Sequence, residues 1–232
     1  MTQPALPGLS APLARREAGS TRDPLDRYYT PVPCTTACLR AIDEFLGELG
    51  IDAPARWLEP SVGAGGWLPA SRLVWPWADV DRVDIDPAAL GLSADLRPTE
   101  AAYACDFTLG DIGPAGDEDW YDAVGGNPPY NDTDAESARD RRERARWLCE
   151  WVDRSLSFAP IVWNLLRGTA LGSIERAPWW RGAGAPACVW TLAPRVPWEG
   201  PGAHESGDSV DQHLVLWVRG ETDTRHRWLA WR

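Results

Sequence analysis

Residues 55–74, ARWLEPSVGAGGWLPASRLV, decide the fold of this chain. A short apolar run comes first, a turn with three glycines follows, and the remainder has the character of a helix. The stretch therefore predicts a β-strand, a glycine-rich turn and a helix, in that order. Strands that alternate with helices in this way build α/β sheets.

The same alternation continues on both sides of this stretch. Residues 34–50 and 134–156 carry apolar side chains on one helical face, so each range predicts an amphipathic helix. Six further segments have strand character: VDRVDID (80–86), AAYACDF (101–107), WYDAVGGNPPY (120–130), FAPIVWNLL (158–166), ACVWTLAPRVPW (187–198) and QHLVLWV (212–218). The last two predict an antiparallel pair. The chain therefore predicts an α/β fold with a mostly parallel sheet whose faces are covered.

Composition and charge exclude several classes of protein. The 232 residues contain no apolar run near the roughly 18 residues that span a bilayer, and the amino terminus lacks the apolar core of a signal peptide. Five scattered cysteines are typical of a reducing cytosol, and no second Cys/His pair completes a zinc site with Cys34 and Cys38. The net charge of −11 argues against a large nucleic-acid interface, so any such interface must be local.

The chain divides into a tail and one domain. Residues 1–26 are rich in Pro, Gly, Ser, Ala and Arg and have no periodicity, which predicts a disordered tail. Residues 27–232 predict a single domain that leaves no room for a separate target-recognition domain.

Polar residues follow the predicted strands where each strand ends. The first strand ends in Glu59-Pro60-Ser61 and turns through Gly63 and Gly65, and the second ends in Asp84, 84 − 63 = 21 positions after the first glycine. The third and fourth end in Asp106-Phe107 and Asn127-Pro128-Pro129-Tyr130. Ligands of parallel sheets bind beyond these carboxyl ends, and an acidic residue about 20 positions after the glycines binds ribose hydroxyls.

The glycine spacing narrows the choice of ligand. It is not G-x-G-x-x-G, and the sequence has no P-loop, so neither a nicotinamide cofactor nor a nucleotide phosphate is supported. The remaining ligand contains adenosine without a phosphate. S-adenosylmethionine fits that description.

Five motifs carry a resemblance to a known family: YYTP (28–31), LEPSVGAGGW (58–67), VDIDP (83–87), CDF (105–107) and NPPY (127–130). In this order they resemble class I S-adenosylmethionine-dependent methyltransferases that modify the exocyclic N6 amine of adenine in DNA. Residues 164–180 and 195–218 are more loosely similar to small phage-type adenine methyltransferases. The resemblance implies a Rossmann-like class I methyltransferase fold, with a mostly parallel seven-stranded sheet, helices on both faces and a C-terminal antiparallel strand.

The resemblance also implies which residues bind the cofactor. Tyr28, Thr30 and Pro31 would close over its methionine end, and Glu59 with Ser61, Gly63 and Gly65 would hold its amino acid portion. Asp84 would bind the ribose hydroxyls and Ile85 would cover the adenine face. Asp106 would accept a hydrogen bond from the cofactor's amino group, with Phe107 packed nearby.

The NPPY motif would hold the target. The amine of adenine is a poor nucleophile because its lone pair is delocalised, and the Asn127 side-chain oxygen and the Pro128 carbonyl would orient it toward the methyl carbon. Pro128 and Pro129 stiffen the chain, and a carbonyl misplaced by about 1 Å costs on the order of a hundredfold in rate. The base must leave the duplex to reach this pocket, where Tyr130 would stack on it.

Several alternatives stay open in the sequence. NPPY is shared with protein-glutamine methyltransferases, and RNA adenine is another substrate; a non-enzymatic cofactor-binding module is a third hypothesis. Trp198 lines the base pocket or packs in the core, and the arginines at 139, 141, 142, 144 and 146 contact phosphate or form a solvated helix face. Specificity would come from residues 131–140 and 199–211. We expect DNA as the partner, no membrane, and a location in the cytoplasm of a bacterium or a phage-infected cell.

Overall fold

The structure is a computed structural model that describes residues 28–92, 96–110, 112, 120–129, 141–182, 184–199 and 210–232. The side chains of residues 91, 92 and 141–145 are outside this description. The predicted tail, residues 1–26, and most of the two predicted specificity loops also lie outside the described residues. The expectations for these segments therefore remain predictions.

Strands and helices alternate along the described chain, as the sequence predicts. The strands are β1 (Arg56–Glu59), β2 (Asp79–Asp84), β3 (Ala102–Ala104), β4 (Ala123–Gly126), β5 (Ile161–Arg167), β6 (Cys188–Ala193), β7 (Gln212–Val218) and β8 (Arg225–Ala230). The helices are α1 (Val32–Glu48), α2 (Trp67–Val74), α3 (Pro87–Leu92), α4 (Arg141–Phe158), α5 (Gly168–Leu171) and α6 (Ala177–Trp180). The two predicted amphipathic helices correspond to α1 and α4.

The strands form one sheet in the order β3-β2-β1-β4-β5-β7-β6-β8. Strands β3, β2, β1, β4 and β5 are parallel, and β7 runs antiparallel to both β5 and β6. This is the expected mostly parallel sheet with a C-terminal antiparallel strand. An eighth strand, β8, extends the predicted seven by pairing parallel to β6.

Strand β8 is absent from the sequence prediction because its sequence, RHRWLA, lacks an apolar run. It lies at the sheet edge, where Arg225 and Arg227 form ion pairs with Glu48 of α1 and Trp228 is exposed. An edge strand needs little burial, and charged side chains are common there. Backbone pairing with β6, and not an apolar sequence pattern, makes this segment a strand.

Apolar side chains cover both faces of the sheet. On one face, α1 and α2 bury residues such as Leu39, Phe45 and Trp67 against Trp57 and Trp163 of the sheet. On the other face, α4 contributes the buried side chains Leu148, Trp151 and Val152. None of the helices in the described ranges has the length and apolar character needed to cross a membrane. The covered faces leave the carboxyl ends of the parallel strands as the place where polar residues gather.

Candidate functional site at the carboxyl ends of the strands

The turn after β1 rests on the end of β2. Gly63 and Gly65 have φ angles of 53° and 76°, in the left-handed region that favours glycine. The Gly63 amide donates a 2.8 Å hydrogen bond to Oδ2 of Asp84, and the Val62 amide donates to the Val83 carbonyl. The 21-residue spacing noticed in the sequence is therefore a direct contact between the turn and the acidic residue.

The segment from Tyr28 to Pro31 lies over the same turn. A Cβ atom at Gly66 would stand 2.3 Å from the Thr30 carbonyl oxygen, and one at Gly63 would stand 2.9 Å from the Tyr29 ring. Tyr29 and Glu199 exchange two backbone hydrogen bonds, of 2.8 and 2.9 Å. Thr35 Oγ1 donates to the Gly66 carbonyl at 2.9 Å, which fixes the turn to α1. The first two predicted motifs are thus in contact.

A substitution at Gly66 tests the contact between the Tyr28–Pro31 segment and the turn after β1. Replacing Gly66 by alanine should lower the free energy of unfolding by about 1–3 kcal/mol, because the new methyl group meets backbone rather than a mobile side chain. Gly47 is the matched control: it lies in α1 with no atom within 4 Å of a Cβ, so Gly47→Ala should leave stability unchanged or raise it by up to about 1 kcal/mol. Urea unfolding of both variants makes the comparison, and equal stability of the two would show that the segment does not lie against Gly66.

Asn127 joins the third motif to the other two. It follows β4 directly, and its Nδ2 donates a 2.8 Å hydrogen bond to the Tyr28 carbonyl. Its own backbone carbonyl accepts a 2.9 Å hydrogen bond from Ser61 Oγ. The hydrogen bond from Nδ2 fixes the orientation of the carboxamide. Oδ1 therefore lies on the side of the carboxamide away from the Tyr28 carbonyl. The NPPY, YYTP and EPS segments therefore meet at one residue.

The residues that flank Asn127 are closely packed. A Cβ at Gly125 would fall 2.0 Å from the Trp163 indole, so only glycine fits beside that ring. Pro128 is buried and Pro129 is partly exposed. Tyr130, predicted to stack on the target base, lies outside the described residues.

Glu59, the last residue of β1, is a buried carboxylate without hydrogen-bond donors. Its side chain is 0% exposed, and in the part of the chain that the structure describes neither Oε1 nor Oε2 has a hydrogen-bond partner. Burial raises the pKa of Glu59 well above its usual value, Arg82 opposes this rise, and Asp84 adds to it. The Thr30 hydroxyl, in the YYTP segment that lies over the turn after β1, is also buried and has no hydrogen-bond partner among the described residues.

Two other carboxylates of the described residues are buried, and both are satisfied. Asp81 accepts hydrogen bonds from Arg56 at 2.7 Å, Tyr121 at 2.8 Å and the Ala101 amide at 2.8 Å. Glu100 accepts from Arg72 and from the amides of Val80 and Arg97, the latter two at 2.9 Å each. Buried polar groups are normally paired, and exceptions need an explanation. Among the buried carboxylates of the described residues, Glu59 differs from Asp81 and Glu100 in having no donor.

The acidic residues after β2 and β3 lie near the turn. Asp84 accepts from Gly63 through Oδ2 and from the Asp86 amide through Oδ1, and burial is the main cause that raises its pKa. Asp86 accepts from the Ala88 amide at the start of α3, as expected of a capping residue. Ile85 is 52% exposed.

The third strand end contributes Asp106 and Phe107. Oδ1 of Asp106 accepts hydrogen bonds from the amide and the hydroxyl of Thr108, at 2.7 and 2.6 Å. Phe107 is buried and packs against Trp151 and Phe158 of α4, with ring centroids 4.7 and 5.9 Å away. Its ring anchors the strand end in the core, and the carboxylate of Asp106 remains part-exposed beside it.

Sequence reasoning missed or underrated several residues of the site. Tyr29 lies within the YYTP motif and Arg82 within a segment of strand character, but the sequence assigns neither side chain a role. The Arg167 guanidinium lies 5.2 Å from the centre of the Tyr28 ring, although the sequence analysis gives this arginine no role. Trp198 is buried, edge-on to Tyr28 at 6.4 Å, which favours its packing role over a role in the base pocket. Such partners are distant in sequence, so only the folded chain could identify them.

Comparisons with known proteins relate the chain to methyltransferase structures. No protein-family model matches the sequence, and no curated protein matches it. A Pyrococcus horikoshii protein assigned provisionally as an RNA methyltransferase is 14% identical, with a TM-score of 0.58, over 84% of this chain and 89% of that one. A predicted O-methyltransferase from Agrobacterium tumefaciens is 17% identical, with a TM-score of 0.51, over 85% of each chain. At these identities the likeness concerns the fold alone: the chain has the Rossmann-like fold of class I methyltransferases.

Proposed function

We propose that this protein transfers a methyl group from S-adenosylmethionine to the N6 amine of adenine in DNA, on a base flipped out of the helix. The observation that carries the proposal is the Glu59 carboxylate, which is fully buried at the end of β1 and receives no hydrogen bond from the described residues. The ammonium group of the cofactor's methionine portion would supply both a positive charge and three donors. The partnerless Thr30 hydroxyl can donate to the carboxylate of the same portion.

The adenosine end of the cofactor would lie along the neighbouring strand ends. Asp84, fixed by the Gly63 amide, is positioned to accept from ribose hydroxyls while it buttresses the turn. The exposed Ile85 side chain offers an apolar surface for the adenine ring. Asp106 has its Oδ1 bonded to Thr108 and offers its second oxygen to the adenine amino group.

Asn127 would align the substrate. The carboxamide is anchored at Tyr28 through Nδ2 and at Ser61 through the backbone, so Oδ1 and the Pro128 carbonyl can accept both hydrogens of one amine. The lone pair is then directed at the methyl carbon. The sulfonium is already a strong electrophile, so alignment and electrostatics are the main contributions that the protein has to make.

A transfer assay tests the proposed function. The protein is incubated with S-adenosylmethionine and, in separate reactions, single-stranded DNA, duplex DNA, RNA or a protein extract; each polymer is then digested and analysed by mass spectrometry. The proposal predicts N6-methyldeoxyadenosine in at least one DNA reaction. If methyl groups are found only in RNA or only on protein glutamine, that polymer and not DNA is the substrate. Tight cofactor binding without transfer to any polymer would favour the binding-module hypothesis instead.

A further inference from the structure

Arg82 lies beside Glu59 inside the protein. The two residues are register partners in the parallel pair β1–β2, so their side chains point to the same face of the sheet. Both side chains are 0% exposed. The pair therefore places a buried guanidinium next to the one buried carboxylate, among the described residues, that has no hydrogen-bond donor.

The carboxylate of Glu100, which also lies near Arg82, already has hydrogen-bond donors of its own. Beyond Arg82 lies Glu100, whose Oε2 is 4.0 Å from the guanidinium but which also accepts hydrogen bonds from Arg72 and two backbone amides. Glu100 thus has three donors apart from Arg82. The positive charge of Arg82 remains the main attraction acting on the Glu59 carboxylate.

Other groups near Glu59 do little to ionise it. Asp84, also from β2, repels the charged form of Glu59. Strand β4, on the opposite side of β1, has only Ala, Val and Gly residues, and the Arg72 guanidinium of α2 is bonded to Glu100. Helix α1 and the segment before it cover the same face of the sheet. Their buried titratable side chains there are the thiols of Cys34 and Cys38 and the phenol of Tyr28. Of the charged groups named here, only Arg82 favours the ionised form of Glu59.

We propose that Arg82 is a positioning residue of the cofactor site: its buried guanidinium supplies one of the two positive charges that the Glu59 carboxylate needs to ionise, and the cofactor's ammonium supplies the other. This inference rests on the proposed function. It makes cofactor binding proton-coupled, because Glu59 gives up its proton to the solvent when the ammonium arrives. Burial raises the pKa of Glu59 well above its usual value, which supports this release of a proton on binding.

The test compares two ligands by calorimetry: S-adenosylhomocysteine, which carries the ammonium, and 5′-methylthioadenosine, which has the same adenosine and thioether without the amino acid portion. In the wild-type protein, between about pH 5.5 and pH 7.5, the affinity for S-adenosylhomocysteine should rise with pH, while that for methylthioadenosine stays constant; the ligand's own amino group titrates higher. Titrations in two buffers of different ionisation enthalpy should detect proton release with S-adenosylhomocysteine only. Absence of that release would overturn the proposal.

Variants of Arg82 complete the test. Arg82→Met should weaken binding of S-adenosylhomocysteine by about tenfold or more at pH 7, because loss of an adjacent opposite charge moves a carboxyl pKa by about 1–3. Arg82→Lys, which keeps a charge, should stay within a few-fold of wild type, and neither variant should alter binding of methylthioadenosine. In a Glu59→Gln background, Arg82→Met should cause no further loss.

The outcomes separate this inference from the proposed function. A loss of affinity by Arg82→Met that is equal for both ligands, or that persists in the Glu59→Gln background, would assign Arg82 a purely structural role. If Arg82→Met does not fold, the proton release of the wild-type protein and the affinity of Arg82→Lys for S-adenosylhomocysteine still test the proposal. Binding of neither ligand by the wild-type protein would instead refute the proposed function.

Discussion

Replacing Asn127 by alanine should lower the rate of methyl transfer by about 100- to 1000-fold, the usual consequence of losing one preorganised polar contact to the reacting group. The variant loses Oδ1, the acceptor that would orient the substrate amine. It also loses the 2.8 Å hydrogen bond from Nδ2 to the Tyr28 carbonyl, so cofactor affinity should fall by a smaller factor, about tenfold at most. Single-turnover transfer at saturating S-adenosylmethionine, together with a calorimetric Kd for S-adenosylhomocysteine, measures the two effects separately.

Ser61→Ala is the comparison variant for Asn127. It removes the 2.9 Å hydrogen bond to the Asn127 backbone carbonyl and leaves the carboxamide in place, and saturating S-adenosylmethionine offsets any loss of the contact predicted between Ser61 and the cofactor. Its transfer rate should therefore fall by less than about tenfold, in line with the loss of one ordinary hydrogen bond. If Asn127→Ala and Ser61→Ala reduced transfer equally, the carboxamide oxygen would have no special part in the reaction.

Glu59→Met should abolish binding of S-adenosylhomocysteine and yet stabilise the empty protein. The substitution removes a buried carboxyl group that has no hydrogen-bond donor among the described residues, and since Arg82 stays close to Glu100, the free energy of unfolding should rise by about 1–2 kcal/mol. Methionine is unbranched and fills the volume of the glutamate side chain. Chemical unfolding and calorimetric titration give the two quantities, and their opposite signs are the expected signature of a group kept for a ligand.

Glu100→Met is the matched control for Glu59→Met. Glu100 is equally buried in its side chain, but it accepts hydrogen bonds from Arg72 and from two backbone amides. The same substitution there should destabilise the protein by about 3–5 kcal/mol, because it leaves buried charge and donors unpaired. Destabilisation of similar size in both variants would mean that Glu59 is a structural carboxylate with unrecognised partners.

The fold and the strand-end residues that outline the site could be predicted from the sequence because they depend on local patterns. Leu39, Ile42 and Phe45 share one face of a helical spacing, and all three are buried in α1. Glu59 and Asp84 end β1 and β2 as predicted. The spacing from Gly63 to Asp84 anticipated a hydrogen bond between them.

The partners that complete the site did not follow from sequence because they come from distant positions. The bond from Asn127 to Tyr28 joins residues 99 positions apart, and the bond from Ser61 to Asn127 joins residues 66 apart. Arg82 looks like an ordinary residue in a mixed polar strand until the register with β1 places it beside Glu59. That Glu59 lacks donors, while Asp81 and Glu100 have theirs, is visible only in three dimensions.

The most direct measurement is a crystal structure of the protein with S-adenosylhomocysteine bound. We expect the ligand's amino nitrogen within about 2.7–3.2 Å of a Glu59 carboxylate oxygen, and its sulfur on the side of the site where Asn127 presents Oδ1. A ligand bound elsewhere, or one whose amino group leaves Glu59 without a donor, would contradict the account.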